Sequence, residues 1–308
     1  MNERAEACLY LSLAMIIAGS AVVVGKMTVT VLPVFLAVEL GIGVGLLFLL
    51  PLTFLIRRET PVFDARTNLV LLAQALCGIV LYRAFIFWGL CSTSAAAGGL
   101  ISSAAPVVIV AGAFLVFGES LSGRRVAGVL CVVAGLLAVN LQPLLASSSE
   151  NAGTLFGSVV GNGLIFIAVM CESAFSILSK APCKPMTALY RTTVVTSYAF
   201  VCLLPLAVHD AADFDMRNID ADIVACVAYY GFFVSFLSYV FWFKGIARVP
   251  AGIAAAFTGL VPPSGIVLSW HILHEPVSAV HIVGLICILA GIALSCLPER
   301  TGRVATSK

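Results

Sequence analysis

Ten apolar runs, separated by short polar stretches, divide this chain of 308 residues. Each run has about the 20 residues that a helix needs to cross the hydrocarbon of a bilayer. Of all residues, 61% are hydrophobic and only 10% are charged, a composition far from that of soluble domains. The sequence therefore predicts an all-α integral membrane protein with ten transmembrane helices, at residues 8–25, 34–56, 68–89, 94–117, 125–142, 154–178, 186–208, 220–243, 251–272 and 278–297.

The basic residues predict how these helices cross the membrane, because Lys and Arg are retained on the cytoplasmic side of short loops. With the N-terminus inside, thirteen basic residues fall in cytoplasmic loops and tails, against two, Lys26 and Arg217, on the other side. We expect a multi-pass protein of a bacterial-type inner (plasma) membrane with both termini in the cytoplasm. The alternative for the first run is a cleaved signal peptide preceded by Arg4, whose loss would leave nine spans.

The second half of the chain repeats the first. Residues 85–135 align without a gap on residues 241–291, 156 positions later, with eleven identities in 51 positions. Each half holds five spans, an odd number, so the two halves must insert in opposite orientations, as in inverted-repeat secondary transporters. We expect repeats at 1–146 and 154–298, a polar linker at 147–153 and a cytoplasmic tail at 299–308. The rarer identities pair Pro106 with Pro262, Glu119 with Glu275, Gly128 with Gly284 and Gly135 with Gly291.

Two prolines are expected to break the fourth and ninth helices at equivalent places. Pro106 and Pro262 have no N–H group, and each frees the carbonyl oxygen four residues earlier, on Ser102 and Thr258. A free carbonyl is tolerated beside a polar cavity or another helix but not beside lipid. We therefore expect the broken helices to face each other across a central cavity, with Ser102 and Thr258 as substrate-binding candidates. A packing kink is the alternative.

The segments "PVVIVAGAFLVFGESLSGRRVAGVLCVVAGLLAV" and "PPSGIVLSWHILHEPVSAVHIVGLICILAGIAL" resemble the paired blocks of EamA-type transporters in the drug/metabolite transporter superfamily. The resemblance implies ten helices, two inverted five-helix repeats and movement of small metabolites by alternating access, commonly export. Length and span count are also similar to those of bacterial aromatic amino-acid exporters of the YddG type. The chain departs from the pattern at Glu39, where relatives often have an arginine; Arg191 holds the corresponding place in the second half.

Ionisable residues inside spans cost about 2.5–3.5 kcal/mol on insertion scales, which makes them functional candidates. Glu172 in the sixth span shares a helical face with Asn162, Ser176 and Lys180. Eight helical residues separate Glu172 from Lys180 by about 12 Å, too far for an ion pair. Glu172 therefore needs another partner. We consider Glu172 and Asn162 substrate-binding candidates, and Glu172 or Glu39 a proton site; hydrogen bonding between helices is the alternative for Glu172.

The third span offers a second polar face. Gln74 and Tyr82 share it, Arg83 lies beside it, and Trp88 follows one turn on. The Arg83 guanidinium keeps its proton, so it must bind an anion, such as an amino-acid carboxylate, or reach the interface. All four are substrate-binding candidates.

Two further candidates lie on other spans. Tyr239 in the eighth span could stack on a flat substrate, whereas we expect Trp242 at the inner membrane interface. Glu39 in the second span is a candidate as an intramembrane carboxylate. Glu39 and Arg191 occupy equivalent places in the two repeats but opposite depths, so we expect no ion pair between them.

The sequence favours transport over catalysis. Every aspartate falls in a loop, and neither GxSG nor HExxH occurs, so an intramembrane enzyme would lack its reagents. We expect no catalytic residue, no cofactor and no metal. Arg83 and Lys26 are too few cations for a phosphorylated substrate, which favours a zwitterion such as an aromatic or neutral amino acid. A channel is the alternative from another class. A small cluster of possible metal ligands does not have the spacing of any familiar zinc-binding motif: His271, His274, Glu275 and His281.

The expected partners are a zwitterionic small molecule and the lipid bilayer, and no nucleic acid. The fifth and tenth spans carry glycines and aliphatic residues with almost no polar groups. Such spans are typical of scaffold or dimer helices, because glycine permits close helix packing. A homodimer is therefore a further expectation.

Overall fold

The computed structural model describes residues 3–62, 64–92, 98, 101–119, 122–146, 155–212, 214–215, 219–272 and 279–296. Within these ranges the chain forms helices joined by turns and short loops, and no β-strand. We number the helical segments in chain order as α1 (Glu3–Val29), α2 (Val34–Ile56), α3 (Ala65–Leu90), α4 (Ala105–Phe117), α5 (Gly123–Ala146), α6 (Leu155–Leu178), α7 (Ala188–Ala212), α8 (Ala221–Ile246), α9 (Ala251–Ile272) and α10 (Ala279–Cys296).

Eight segments in the described part of the chain, all except α4 and α5, are long and apolar enough to cross a membrane. Segment α4 is a shorter apolar helix of 13 residues. The structure confirms the all-α membrane fold, while the count of ten spans stays a prediction. The expected linker at 147–153 and tail at 299–308 lie outside the described residues, as do Arg217, His274 and Glu275.

The first helix of one half packs against the third helix of the other. The Ser238 hydroxyl on α8 donates to the Ala14 carbonyl oxygen on α1 at 3.0 Å. Farther along α1, the Tyr229 hydroxyl donates to Ser20 at 3.0 Å. Residue numbers thus rise along α1 as they fall along α8, so these two helices are antiparallel.

The equivalent pair, α6 with α3, packs in the same way. The Gln74 amide nitrogen on α3 donates to the Leu178 carbonyl oxygen on α6 at 3.0 Å. Gly89, farther along α3, lies against Ile165, where an added Cβ would come within 2.6 Å of the isoleucine side chain. This pair is antiparallel as well. The contact between the first helix of one half and the third helix of the other is therefore made twice.

The second helices of the two halves pair with each other and fix the inversion. The Thr53 and Thr193 hydroxyls are hydrogen-bonded at 2.7 Å, and the Phe35 amide donates to the Asp210 carboxylate at 2.9 Å, so α2 and α7 are antiparallel. A short turn at 30–33 reverses the chain between α1 and α2, and a longer loop at 179–187 reverses it between α6 and α7. The first helices of the halves must then also run in opposite directions, which is the expected inversion.

The fifth helices of the halves, α5 and α10, pack through glycines. A Cβ on Gly291 would lie 2.5 Å from the Gly128 carbonyl oxygen, and one on Gly135 would lie 2.6 Å from the Gly284 carbonyl oxygen. Only residues without a side chain permit this backbone approach. The glycines of the fifth and tenth spans therefore allow these two helices of the same chain to pack closely.

Both expected helix breaks are present. A turn at Ser103 and Ala104 precedes α4, where Pro106 lies in the first turn. A turn at Gly259 and Leu260 divides α9, and Pro262 lies in the first turn of its second part, which begins at Val261. Proline is tolerated in the first turn of a helix because that N–H would have no partner there. Each proline thus restarts its helix after the break.

Candidate functional site

A cavity of about 290 Å³ lies between five helices drawn from both halves. Helices α1, α3, α6, α8 and α9 form its wall. A mostly apolar cavity with a few polar groups is the usual form of a small-molecule site. The lining residues are Met15, Ala18, Ala21, Gly78, Tyr82, Arg83, Glu172, Phe175, Ser176, Val234, Ser238, Tyr239, Trp242, Thr258 and Val261.

The third helix of each half contributes equivalent positions to this cavity. Both helices change to π-helical hydrogen bonding beside it, at Leu76–Leu81 in α3 and Tyr230–Ser238 in α8. Such turns are rare and frequently occur at functional sites. The repeat therefore builds the cavity from the same segment twice. At the spacing of 156 residues, Gly78 corresponds to Val234, Tyr82 to Ser238 and Arg83 to Tyr239.

Arg83 brings a permanent positive charge to the cavity wall. Its Nη2 donates to the Tyr230 hydroxyl, and its guanidinium carbon lies 5.8 Å from the centroid of the same ring. Glu172 lines the same cavity, and the structure records no ion pair between these two side chains, both of which lie in the described part of the chain. A ligand with one anionic and one cationic group could therefore interact with both.

Glu172 lies on α6 beside an aromatic cluster centred on Phe175. The ring centroid of Phe175 is 6.0 Å from Tyr239, 6.3 Å from Trp242 and 5.9 Å from Phe243. Tyr239 and Trp242 belong to the cavity lining, and Trp242 is only 4% exposed. The expectation that Trp242 lies at the membrane interface was therefore wrong. Its helical face, shared with Ser238, packs inward against α1 and α6.

A polar network closes the bundle where α4, α6 and α9 meet. Both carboxylate oxygens of Glu119 lie 3.0 Å from the Ala251 amide, which is the first amide of α9. Lys180 lies 3.3 Å from Glu119 and donates to the Val249 carbonyl oxygen at 2.5 Å. The carboxylate stabilises the helix N-terminus. Because Glu119 belongs to the first half and its partners to the second, the network holds the halves together at this end.

A sequence model of the EamA-like transporter family matches residues 5–141 and 159–297. The chain belongs to the EamA-like transporter family. The transporter YetK of Bacillus subtilis (strain 168), itself uncharacterized, is 33% identical over 300 residues, which cover 97% of this chain and 89% of YetK.

Two further comparisons concern a relative and a solved structure. A "Probable terminal-alkyne amino-acid exporter" from Streptantibioticus cattleyicolor is 26% identical over 227 residues, 71% of each chain. A solved crystal structure superposes with a TM-score of 0.77 at 18% identity, covering 96% of this chain and 99% of the other. At that identity the superposition concerns the fold alone.

Half of the candidate binding residues lie in the lining of this EamA-like cavity. Tyr82, Arg83, Glu172, Tyr239 and Thr258 meet there, although they come from four helices. Their partial exposure and mutual arrangement agree with a binding role, which stays a prediction. The lining does not include Glu39, Gln74, Trp88, Ser102 or Asn162.

The residues outside the lining have other surroundings. Gln74 is fully buried and binds the Leu178 carbonyl oxygen and Arg191. Trp88 is 47% exposed on the side of the bundle. Glu39 is 5% exposed on α2, and neither of its carboxylate oxygens has a hydrogen-bond partner among the described residues. Asn162 lies nearer the start of α6, ten residues before Glu172. Ser102 directly precedes the break before α4.

Sequence reasoning missed Tyr230 and most of the apolar lining of this EamA-like cavity, and it did not select the lining serines Ser176 and Ser238 as binding residues. Tyr230 holds Arg83, yet no charge or motif distinguishes it from other aromatic residues in the spans. Phe175 lies one turn beyond Glu172 and could have been found from that spacing. Met15, Ala18 and Ala21 carry no signal of this kind, because apolar residues surround a membrane helix on all sides.

Proposed function

We propose that this EamA-like transporter moves zwitterionic amino acids, aromatic or neutral, out of the cytoplasm by alternating access. The observation that supports this most strongly is the pairing of Arg83 and Glu172 in one cavity with an aromatic wall. Arg83 would bind the substrate carboxylate, and Glu172 its ammonium group. The rings of Phe175, Tyr239 and Trp242 would contact the substrate side chain.

The size and charge of the cavity support a small zwitterion. Its volume of about 290 Å³ lies just below the range of about 300–1,000 Å³ found for ligand pockets, which suits a small substrate. Arg83 is the single cationic side chain in the described lining, which gives little compensation for a phosphate group. The amino-acid exporter named among the relatives agrees with this choice.

The inverted halves support a rocking mechanism. Contacts that hold the halves together at one end, such as Glu119 with Ala251, would break as the other end closes. The central cavity would then open to each face in turn. In this mechanism the breaks before Pro106 and Pro262 are the points at which α4 and the second part of α9 change their angle to the preceding chain.

The proposed location is a bacterial inner (plasma) membrane with both termini in the cytoplasm, supported by thirteen basic residues against two. The network at Glu119 would then close the cytoplasmic end. The proposed assembly is a homodimer in the lipid bilayer, which cross-linking in native membranes can test.

The test is counterflow of radiolabelled amino acids in proteoliposomes that contain the purified protein. We expect Arg83→Ala and Glu172→Gln each to reduce counterflow at least about tenfold, since each removes a hydrogen bond to a charged group worth about 1.5–3 kcal/mol. Trp88→Phe, on an exposed side chain, is the control and should transport normally. Unchanged counterflow in both cavity variants would exclude the site, and flux without counterflow would indicate a channel.

A further inference from the structure

Arg83 lies where three cavities meet. It lines the central cavity, a cavity of about 20 Å³ between α2, α3, α7 and α8, and a cavity of about 80 Å³ between α1, α2 and α8. Tyr230 lines the second and third cavities but not the first. Because Arg83 Nη2 donates to the Tyr230 hydroxyl, this pair lies between the central cavity and the third one. We call the third cavity the α1–α2 vestibule, bounded by Gly25, Val29, Val34, Val38 and Tyr230.

The vestibule extends from the central cavity to one end of the bundle. Ala21 on α1 lines both cavities. One turn farther along α1, an added Cβ at Gly25 would meet no atom within 4 Å. Val29 is the last residue of α1 and is 44% exposed, and Val34 is the first residue of α2. Small side chains thus leave space along α1 from the central cavity to the turn between α1 and α2.

The opposite end of the bundle is closed in the same structure. Glu119 binds the Ala251 amide and lies 3.3 Å from Lys180, which joins the two halves there. The antiparallel course of α1 and α8 places this network at the end of α8 that lies far from Tyr230. The described structure therefore has a closed end at Glu119 and a narrow passage at the α1–α2 turn.

We propose that Arg83 and Tyr230 form a gate between the central cavity and the α1–α2 vestibule, with Tyr230 as the positioning residue for Arg83. This rests on the proposed function, because the gate requires a substrate with an anionic group. A carboxylate accepts a stronger hydrogen bond from guanidinium than a neutral hydroxyl does. Substrate binding therefore draws Arg83 away from Tyr230 and opens the passage, which the proposed orientation directs to the outside.

Two matched glycine variants test the passage. Gly25 in the vestibule and Gly163 on the exposed side of α6 both have space for a side chain. We expect Gly25→Trp to reduce counterflow at least about tenfold by blocking exit while equilibrium binding of the amino acid stays within about twofold. Gly163→Trp should change neither quantity. Normal counterflow in Gly25→Trp would overturn the proposed path.

The role of Tyr230 is tested with Tyr230→Phe, which keeps the ring and removes the hydroxyl. The Arg83–Tyr230 hydrogen bond is present before substrate binds and is broken on binding, so its loss corresponds to about a tenfold fall in KM, and we expect the maximal rate to stay nearly constant. Tyr229→Phe is the control, because Tyr229 binds Ser20 and does not line the cavity. Equal losses of maximal rate and folded protein, with KM unchanged, would indicate a purely structural role and overturn the proposal.

A third measurement separates failure of the gate from failure of the proposed function. In right-side-out vesicles without substrate, Gly25→Cys should react with a membrane-impermeant maleimide above the level of the parent protein, and Gly163→Cys should not. Absence of labelling at Gly25→Cys would overturn the vestibule whatever the protein transports. Labelling combined with no binding or counterflow of any amino acid would instead overturn the amino-acid proposal, and with it the gate that depends on a carboxylate substrate.

Discussion

At the scale of single residues, Gln74 differs from its expected role as a substrate-binding group. It donates to the Leu178 carbonyl oxygen at 3.0 Å and accepts from Arg191 at 3.2 Å. The Arg191 guanidinium also donates to Leu178 at 3.0 Å and lies 5.0 Å from the centroid of Phe243. These contacts tie α3 and α7 to the end of α6. Gln74 therefore supports the helix that carries Glu172 and has no contact with the cavity.

The corresponding prediction concerns stability. Gln74→Leu leaves the partly buried Arg191 with one acceptor fewer and removes the donor to the Leu178 carbonyl oxygen, which costs about 1–3 kcal/mol. We expect a lower midpoint of thermal unfolding in detergent together with an unchanged KM in the variant that remains folded. Trp88→Phe, on an exposed side chain, should unfold like the parent protein. A large rise in KM at unchanged stability would instead return Gln74 to the substrate site.

At the scale of helices, the sequence was most informative about where each helix lies in the chain. It was least informative about which side of a helix faces the cavity and which faces lipid. Runs of apolar residues predicted the segments closely, because any helix in lipid must hide its backbone and present apolar side chains. For the same reason the pattern cannot distinguish a cavity face from a lipid face. Arg83 and Glu172 were identifiable because charge is costly in a span, whereas Met15 and Phe175 were not.

The sequence also predicted only part of the helix geometry. Pro106 and Pro262 predicted the two breaks from covalent structure alone. The π-helical turns at Leu76–Leu81 and Tyr230–Ser238 carry no proline and no motif. Their register depends on packing between α3, α6 and α8, and tertiary contacts of this kind are not written in local sequence. The structure was therefore needed to see that both turns border one cavity.

The prediction at this scale concerns the pairing of α5 and α10. We expect Gly291→Ala to lower stability by about 1–3 kcal/mol, the usual cost of overpacking, because its Cβ would lie 2.5 Å from the Gly128 carbonyl oxygen. Gly163→Ala is the matched control: no atom lies within 4 Å of its Cβ, and alanine favours a helix over glycine by about 1 kcal/mol. Thermal unfolding in one detergent compares the two. Equal midpoints would contradict the close packing of these helices.

At the scale of the whole molecule, two ion pairs between the halves differ in their surroundings. Lys180 and Glu119 are 19% and 20% exposed, and Glu119 also binds the first amide of α9. Lys184 and Asp64 are 58% and 29% exposed at a separation of 3.6 Å, where water and salt weaken the attraction. The first pair should therefore contribute much more to holding the halves closed at this end. This pair and its bond to Ala251 join the ends of α4, α6 and α9.

This difference leads to the last prediction. Lys180→Met removes the ion pair and the bond to the Val249 carbonyl oxygen, a loss of about 1.5–3 kcal/mol that raises the ratio of open to closed molecules at this end about 10-fold or more. Lys184→Met removes an exposed pair worth about 0–1 kcal/mol and should have little effect. Spin labels at the ends of α4 and α9 report the opening as a longer distance between labels. If the distance distributions of both variants match that of the parent protein, the Glu119 network does not control closure, and the rocking of the halves must be limited by other contacts, such as those between α2 and α7.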